Sequence, residues 1–258
     1  MGLSRAAAER WVGRWERQQQ RYAVDREERF TVIADVVQHS TADRPHPLIV
    51  DLGCGPGSLT ARLAERMPTA EIVAVDRDPL LLALARTRHA AAARYVEAVI
   101  GEPGWTDVLG LPGPLDAAVS TTALHCLTEE SLRRTYQRLA ALLRPGGVLV
   151  NADHFPPDDT QPARIAAHVG ARRSERLRAF AHEDWESWWA ATAEDPELAG
   201  VLAERHKSRQ PAHRQDAGVG HNGLCLSRHI ALLRQAGFAQ AGPVWQFGDS
   251  HVLVAVRP

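Results

Sequence analysis

The stretch LIVDLGCGPG, residues 48–57, joins a continuous apolar run to a glycine-rich turn. An apolar run of this kind is typical of a strand that is buried on both faces of a parallel sheet. The glycines allow the backbone to turn tightly and to approach a ligand at the carboxyl end of that strand. The stretch therefore predicts an α/β fold with a nucleoside or nucleotide site at the end of its first strand.

Strands and helices alternate on the C-terminal side of this turn. Alternation of this length predicts a doubly wound, mostly parallel sheet. The closing stretch AGPVWQFGDSHVLVAVR, residues 241–257, has two β-rich runs joined by a Gly-Asp-Ser turn, which predicts an antiparallel hairpin. Further strands are expected at 71–76, 93–99, 115–120 and 148–153, and helices at 58–67, 79–91, 131–143 and 226–236.

The remaining segments are predicted to be helical. Apolar residues recur at helical spacing over residues 5–38, which predicts one long helix there. The region from 155 to 220 carries helical patterns but no apolar strand run, which indicates an insertion that covers the site as a lid. We therefore divide the chain into an N-terminal helical segment (1–46), a core (47–154 and 221–258) and a helical lid insertion (155–220).

Composition narrows the possible partners. The 258 residues include 30 basic and 31 acidic side chains, so there is no global positive field to attract nucleic acid or an anionic membrane. Cys54, Cys126 and Cys225 are odd in number and show no metal-ligand spacing, which favours a cytoplasmic protein without a disulfide framework or a metal site. No apolar window is long enough to span a membrane. The expected partner is a small molecule, and a homodimer is possible.

A carboxylate at the end of the second predicted strand specifies the nucleoside site further. Asp76 stands where an acid can accept hydrogen bonds from both ribose hydroxyls. With this residue in place, the sequence resembles the class I S-adenosylmethionine-dependent methyltransferase family. DLGCGPG (51–57) matches its glycine-rich motif, VDRD (75–78) its acidic loop, and LRPGGVLV (143–150) its turn before strand 5. The resemblance covers roughly residues 47–154 and 224–258.

This resemblance implies a seven-stranded Rossmann-like fold with an antiparallel C-terminal hairpin and a helical lid after strand 5. It also implies S-adenosylmethionine as the cofactor and S-adenosylhomocysteine as the product. Asp51 and the loop Gly53-Cys54-Gly55 would hold the amino-acid part of the cofactor, and Asp76 its ribose. The remaining implied contacts are Arg77 and Glu102 at the adenine, Ser120 and Thr121 beside the sulfonium, and Tyr22 and Arg29 over the cofactor's carboxylate.

Other interpretations of these residues stay open. Asp51 could only brace a turn, Asp76 could cap the next helix, and Glu102 could be a solvated loop acid. The pattern Gly53-x-Gly55-x-x-Ser58 narrowly misses the dinucleotide fingerprint, so an NAD-dependent oxidoreductase is an alternative on the same fold. A cyclase that uses the same sulfonium and a catalytically silent binding subunit are further alternatives.

Two histidines follow core strands and are the candidate catalytic bases. His125 comes after the fourth predicted strand and His154 after the fifth, at the edge where open α/β sheets bind ligands. A histidine near neutrality can take the proton that an oxygen or amine acceptor loses. Each could instead only hydrogen-bond a loop, and Asp153 could orient His154 or brace that loop.

Three tryptophans in the lid are candidate substrate-binding residues. Trp185, Trp188 and Trp189 are three and four residues apart and are expected to share a helix face, where they could stack on a flat or cationic substrate. They could instead attach the lid to the sheet domain. The expected function is methyl transfer to an oxygen or nitrogen, less readily a carbon, of a small aromatic or heterocyclic metabolite, and the expected setting is specialised metabolism. Four lid histidines have no metal spacing and are assigned no role: His182, His206, His213 and His221.

Overall fold

The fold is built on a twisted sheet with helices on both faces. A computed structural model describes residues 3–208 and 221–258. Its strands form a seven-stranded sheet in the order β3-β2-β1-β4-β5-β7-β6. The first five strands are parallel, and β7 is antiparallel to both of its neighbours. The strands are β1 Leu48–Leu52, β2 Glu71–Asp76, β3 Arg94–Glu97, β4 Leu115–Thr121, β5 Leu143–His154, β6 Gln240–Phe247 and β7 Ser250–Val256.

This topology confirms the predicted fold class, including the antiparallel pair at the C-terminus. All five residues of β1 are buried, as the apolar run predicted. Successive side chains point to opposite faces of the sheet, and Ile49 packs with one helical layer while Val50 packs with the other. The strand order reverses between β1 and β4, so the carboxyl ends of these two strands border the crevice where such sheets bind ligands.

Helices cover both faces, and α2 and α3 pack on the face opposite α5 and α9. None of the helices in the described ranges is both long and apolar enough to cross a membrane. The helices are α1 Arg5–Gln19, α2 Arg26–Ser40, α3 Ser58–Arg66, α4 Pro79–Arg88, α5 Glu129–Leu142, α6 Gln161–Arg176, α7 Trp185–Glu194, α8 Ala199–Ser208 and α9 Leu226–Gln235.

The prediction of a single helix over residues 5–38 was wrong. The chain turns between Gln19 and Arg26, because α1 packs on α4 and α7 whereas α2 packs on β4, β5 and β7. No glycine or proline marks this turn in the sequence. Residue Asp25, which precedes α2, makes no side-chain cap and instead pairs with Arg173 of α6 at 2.6 Å. The break is therefore set by tertiary packing and not by a local signal.

The segment after β5 is helical where it is described. It contributes α6, α7 and α8, while residues 209–220, which include His213 and the end of the predicted insertion, lie outside the described residues. The division of the chain at 46, 154 and 220 stays a prediction.

Helix α7 is attached to α1 through a cluster of tryptophans. Trp188 is completely buried and meets Trp11 and Trp15 edge-on, with ring centroids 5.6 and 5.0 Å away. It also meets Trp189 at 4.9 Å. Edge-to-face contacts of this kind add to the apolar area that the rings bury. Trp188 is therefore a packing residue of the α1–α7 contact.

We expect Trp188→Ala to lower the free energy of unfolding by about 3 to 5 kcal/mol, because it empties a fully buried aromatic position. Urea denaturation followed by circular dichroism measures this loss. Trp185→Ala is the matched control on the same helix, since Trp185 is 42% exposed and should lose clearly less. Equal losses for the two variants would contradict the assignment.

Candidate active site

A cavity of about 260 Å³ opens at the carboxyl ends of β1, β2 and β4. It brings together nine of the residues that the sequence singled out, and they come from four separate parts of the chain. These nine are Asp51, Gly53, Cys54, Gly55, Asp76, Arg77, Thr121, Trp185 and Trp189.

The glycine-rich turn forms the floor of the cavity by a close approach between two strand ends. Gly53 has a φ of +72°, and a Cβ placed on it would lie 2.3 Å from the Cβ of Ala123, after β4. The amides of Gly53 and Cys54 both donate to the carbonyl of Val75, at 2.8 and 3.0 Å. Any larger residue at position 53 would therefore push β1 and β4 apart.

Asp51 presents a buried carboxylate oxygen toward this floor. Its Oδ2 accepts the hydroxyl of Thr60 at 2.5 Å, while its Oδ1 has no hydrogen-bond partner among the described residues. Burial raises the pKa of Asp51 to about 7, and the hydrogen bond from Thr60 only partly opposes this. A buried acceptor without a partner is costly, and a cationic ligand would both satisfy it and favour the ionised form.

Asp76 is held at the end of β2 by backbone amides. Its Oδ2 accepts the amide of Gly55 at 2.8 Å and its Oδ1 the amide of Asp78 at 2.9 Å. The cap of α4 is Asp78, whose side chain accepts the amides of Leu80 and Leu81, so Asp76 does not serve as that cap. Each oxygen of Asp76 keeps a second lone pair, which leaves the carboxylate able to accept a vicinal diol.

Aromatic side chains from two helices cover the turn. Trp15 of α1 lies 3.7 Å from a Cβ placed on Gly55. Trp185 and Trp189 of α7 line the same cavity, and the Arg205 guanidinium lies 3.9 Å from the Trp189 ring centroid. Of the three tryptophans assigned to substrate binding, Trp188 does not line it.

Other predicted site residues lie beside this cavity without lining it. The Ser120 hydroxyl is buried and donates to the Leu52 carbonyl at 2.9 Å, which joins β4 to β1. Tyr22 is 45% exposed, and its hydroxyl accepts the amide of Trp185 at 2.9 Å. Glu102 lies past β3, where residues 98–100 line the cavity instead. Arg29 is completely buried under β5 and β7.

His125 forms an ion pair with Asp153 of β5, the last of the five parallel strands. Its Nδ1 lies 2.9 and 3.0 Å from the two carboxylate oxygens of Asp153. Burial by itself would lower the pKa of His125, but the hydrogen bond and charge of Asp153, together with Cys126, raise it to about 10. Burial would likewise raise the pKa of Asp153, but His125 and Arg29 lower it. His125 is therefore an imidazolium at neutral pH. In that form it can act as a positive charge or a hydrogen-bond donor, but not as a base.

The ring nitrogens of His154 have the partners expected of a base. Its Nδ1 lies 3.1 Å from an oxygen of Asp249 in the β6–β7 turn, while its Nε2 is buried with no partner among the described residues. A carboxylate at Nδ1 favours the tautomer whose Nε2 carries the lone pair. Asp153 orients the imidazole of His125. Its contact with His154 is a hydrogen bond from the backbone amide of His154, and not from the imidazole.

Several residues at the site carry no sequence signal that reveals them. Trp15, Gln19 and Arg26 line the cavity from the α1–α2 region, which the sequence presented only as an amphipathic segment. His221, for which the sequence indicated no role, stacks on His125 with ring centroids 4.9 Å apart. Among the residues described, no group of three or more His, Cys, Asp or Glu is arranged to hold a metal ion.

A doubly wound sheet with this cavity at its switch point defines a Rossmann-like nucleoside-binding domain. The residues present fit S-adenosylmethionine, because that molecule carries an ammonium group, a sulfonium and a ribose diol. The partnerless oxygen of Asp51 suits the ammonium, and the carboxylate of Asp76 suits the diol. The glycines of the turn carry no side chain that would keep a ligand away from the backbone.

Comparisons with known proteins agree with this fit. Residues 49–147 match the family model of a methyltransferase domain. The chain is 31% identical over 177 residues to the trans-aconitate 2-methyltransferase of Methylobacterium radiotolerans, an alignment covering 68% of this chain and 58% of that protein. It is 38% identical over 117 residues to the enzyme of that name from Deinococcus radiodurans, covering 43% of this chain and 42% of that protein.

A solved structure supports the fold. The magnesium protoporphyrin IX methyltransferase of Synechocystis PCC 6803, crystallised with S-adenosylhomocysteine, superimposes with a TM-score of 0.56 at 16% identity over 96% of this chain and 94% of that one. The chain therefore contains a methyltransferase domain over residues 49–147, on a fold that it shares with this solved structure. It spans 42% and 58% of the two curated relatives described above.

We expect Asp76→Ala to weaken S-adenosylhomocysteine binding by roughly 5- to 150-fold, which corresponds to about 1 to 3 kcal/mol for a lost charged acceptor. Calorimetric titration measures the dissociation constant. Glu71→Ala is the control, because Glu71 is an exposed acid at the opposite end of the same strand. An unchanged dissociation constant in Asp76→Ala would remove this residue from the cofactor site.

The ion pair of His125 should make stability depend on pH. Because the folded pKa of about 10 exceeds the ordinary value of 6.5, the stabilisation is complete below about pH 6.5 and is lost as the pH rises through about 10. The difference in unfolding free energy between the unmodified chain and His125→Gln should therefore shrink from pH 6 to pH 10. His39→Gln, on the exposed side of α2, is the control. A constant difference would mean that folding does not raise the pKa of His125.

Proposed function

We propose that this chain transfers a methyl group from S-adenosylmethionine to a small-molecule acceptor. The observation that carries the proposal is a pair of carboxylates, the buried Asp51 and the half-buried Asp76, that flank the glycine turn in one cavity. Two acids at adjacent strand ends match the two ends of this cofactor, its cationic amino-acid part and its ribose. The domain family of residues 49–147 supports the same assignment.

When bound, the cofactor supplies an activated methyl group and its own leaving group, so the protein mainly positions the acceptor and excludes water. Asp51, beside the glycine turn, would accept hydrogen bonds from the ammonium group, and Asp76 would accept them from the ribose hydroxyls. Trp15, Trp185 and Trp189 cover the cavity and keep water away from the reacting groups.

The acceptor is proposed to lie over the carboxyl ends of β4 and β5, next to the cavity. For an oxygen or nitrogen that loses a proton, His154 is the proposed base, because Asp249 holds its Nδ1 and its Nε2 has no other partner among the described residues. His125, as an imidazolium paired with Asp153, would orient the acceptor and not deprotonate it.

The chemical class of the acceptor is inferred from the residues that line the site. Trp185 and Trp189 offer flat faces that favour an aromatic or heterocyclic acceptor. The relatives named trans-aconitate 2-methyltransferase make trans-aconitate the first acceptor to test, alongside aromatic compounds. A cytoplasmic location, a homodimer and a place in specialised metabolism stay predictions from the sequence.

The first experiment is a calorimetric titration with S-adenosylhomocysteine, with NAD as the comparison ligand. We expect micromolar binding of the nucleoside and none of NAD. Incubation with S-adenosylmethionine and candidate acceptors, followed by mass spectrometry, then shows whether a product gains one methyl group. Binding of NAD alone would favour an oxidoreductase, and a product without an added methyl would favour a cyclase. Failure to bind either ligand would favour a silent binding subunit.

For an acceptor whose O–H or N–H is deprotonated, we expect His154→Gln to lower kcat by about 10²- to 10⁴-fold. The dissociation constant of S-adenosylhomocysteine should not change, because His154 does not line the cofactor cavity. His46→Gln is the control, since His46 precedes β1 at the opposite edge of the sheet. Full turnover in His154→Gln would leave this histidine with a structural role only.

A further inference from the structure

Arg29 is the most unusual charged residue in the described part of the chain. It lies in the first turn of α2, and its side chain is completely buried. None of its three guanidinium nitrogens has a hydrogen-bond partner among the described residues. Burial lowers the pKa of Arg29 to about 10, partly offset by Asp153, so it remains charged at neutral pH. A buried charge of this kind requires a partner.

The acids around Arg29 are already engaged with other groups. The electrostatic partners of its guanidinium include Asp153, Asp249 and Asp25. Asp153 binds the imidazole of His125, and Asp249 binds that of His154. The third, Asp25, pairs at 2.6 Å with Arg173 of α6. The guanidinium of Arg29 therefore contributes a positive charge whose hydrogen-bonding capacity is unused.

A second unsatisfied group lies in the same neighbourhood. The Nε2 of His154 is buried without a partner in the described residues, and its Nδ1 is held by Asp249, an electrostatic neighbour of Arg29. Both residues therefore lie at the carboxyl end of β5, where β5 meets the β6–β7 turn. Two orphaned polar groups around the same acids indicate a place for a polar ligand and not for apolar packing.

We propose that Arg29 binds a carboxylate group of the methyl acceptor. The inference rests on the proposed function, because it assigns the chemical class of the acceptor at that same site. A planar guanidinium presents parallel N–H donors that match both oxygens of a carboxylate. The bound anion would supply the partner that the buried charge lacks, and it would fix one end of the acceptor beneath α2.

The position of Arg29 favours the acceptor over the cofactor as the source of the carboxylate. Two of its acidic neighbours, Asp153 and Asp249, stand on β5 and in the β6–β7 turn, whereas the cofactor cavity is centred on the ends of β1 and β2. Its neighbour Arg26, the first residue of α2, lines the cofactor cavity, and Arg29 does not. The residue therefore lies on the side of the crevice where the acceptor is proposed to bind.

The test measures ligand binding to protein saturated with S-adenosylhomocysteine, so it does not depend on turnover. Acetate and benzoate are titrated against the chain by NMR, and their neutral counterparts acetamide and benzamide are titrated in parallel. We expect the acids to bind at least tenfold more tightly than the amides. Arg29→Met should remove this preference, and Arg29→Lys should retain only part of it because the ammonium lacks the planar pair of donors.

Arg66→Met is the matched control, because Arg66 is a surface arginine whose partners are Asp35 and Gln38. It should leave the preference for acids unchanged. If Arg29→Met does not fold, as judged by circular dichroism, Arg29→Lys decides the outcome. The proposal is overturned if the unmodified chain shows no preference for acids, or if both Arg29 variants keep it.

A separate arm identifies the cofactor's own carboxylate as the source. Arg29→Met is titrated with S-adenosylhomocysteine and with methylthioadenosine, which lacks the amino-acid part. A tenfold loss for the first ligand with none for the second would place the cofactor's carboxylate on Arg29 and overturn the proposal. If the unmodified chain binds neither nucleoside, the proposed function itself fails, and that result is distinct from a failure of the Arg29 site.

Discussion

The contact between Gly53 and Ala123 is the constraint on which the rest of the site depends. Since a Cβ on Gly53 would lie 2.3 Å from that of Ala123, the ends of β1 and β4 can approach only if position 53 carries no side chain. In this arrangement the amides of Gly53 and Cys54 donate to the carbonyl of Val75, and the amide of Gly55 donates to the carboxylate of Asp76. The absence of one methyl group at position 53 thus sets the position of Asp51 and Asp76, the proposed cofactor-binding acids, relative to β4, which borders the proposed acceptor site.

Charge is divided across the crevice in a way that matches the two proposed ligands. The β1–β2 side carries the buried Asp51 and the half-buried Asp76, two acids that a cationic molecule would pair with. Arg29 of α2 and the imidazolium of His125 after β4 each have Asp153 of β5 as an electrostatic partner. Because electrostatic interactions are strong in a poorly hydrated interior, the unused donors of Arg29 would hold an anion near the end of β5, apart from the cation near the ends of β1 and β2.

Much of the sheet and of the cofactor cavity could be predicted from the sequence, because both depend on short local patterns. The glycine turn, the acid at the end of β2 and the terminal hairpin are each specified by a few consecutive residues, and the structure contains each of them. The covering of the cavity could be predicted only in part, because the sequence indicated Trp185 and Trp189 but not Trp15. Trp15 and Trp188 lie on neighbouring helices with similar spacing, yet one lines the cavity and the other is buried in the helix contact. Only the packing of α1 on α7 decides between them.

The pairing of the two histidines shows the same limit at the level of single side chains. Asp153 and His154 are adjacent, and one interpretation of the sequence was that Asp153 orients His154. In the sheet, adjacent residues of β5 face opposite sides, so Asp153 turns to His125 while His154 meets Asp249. Asp249 reaches His154 because β7 runs antiparallel to β5 and places Ser250 opposite His154. The final hairpin therefore does more than close the sheet, since its turn supplies the acid that sets the tautomer of the proposed base.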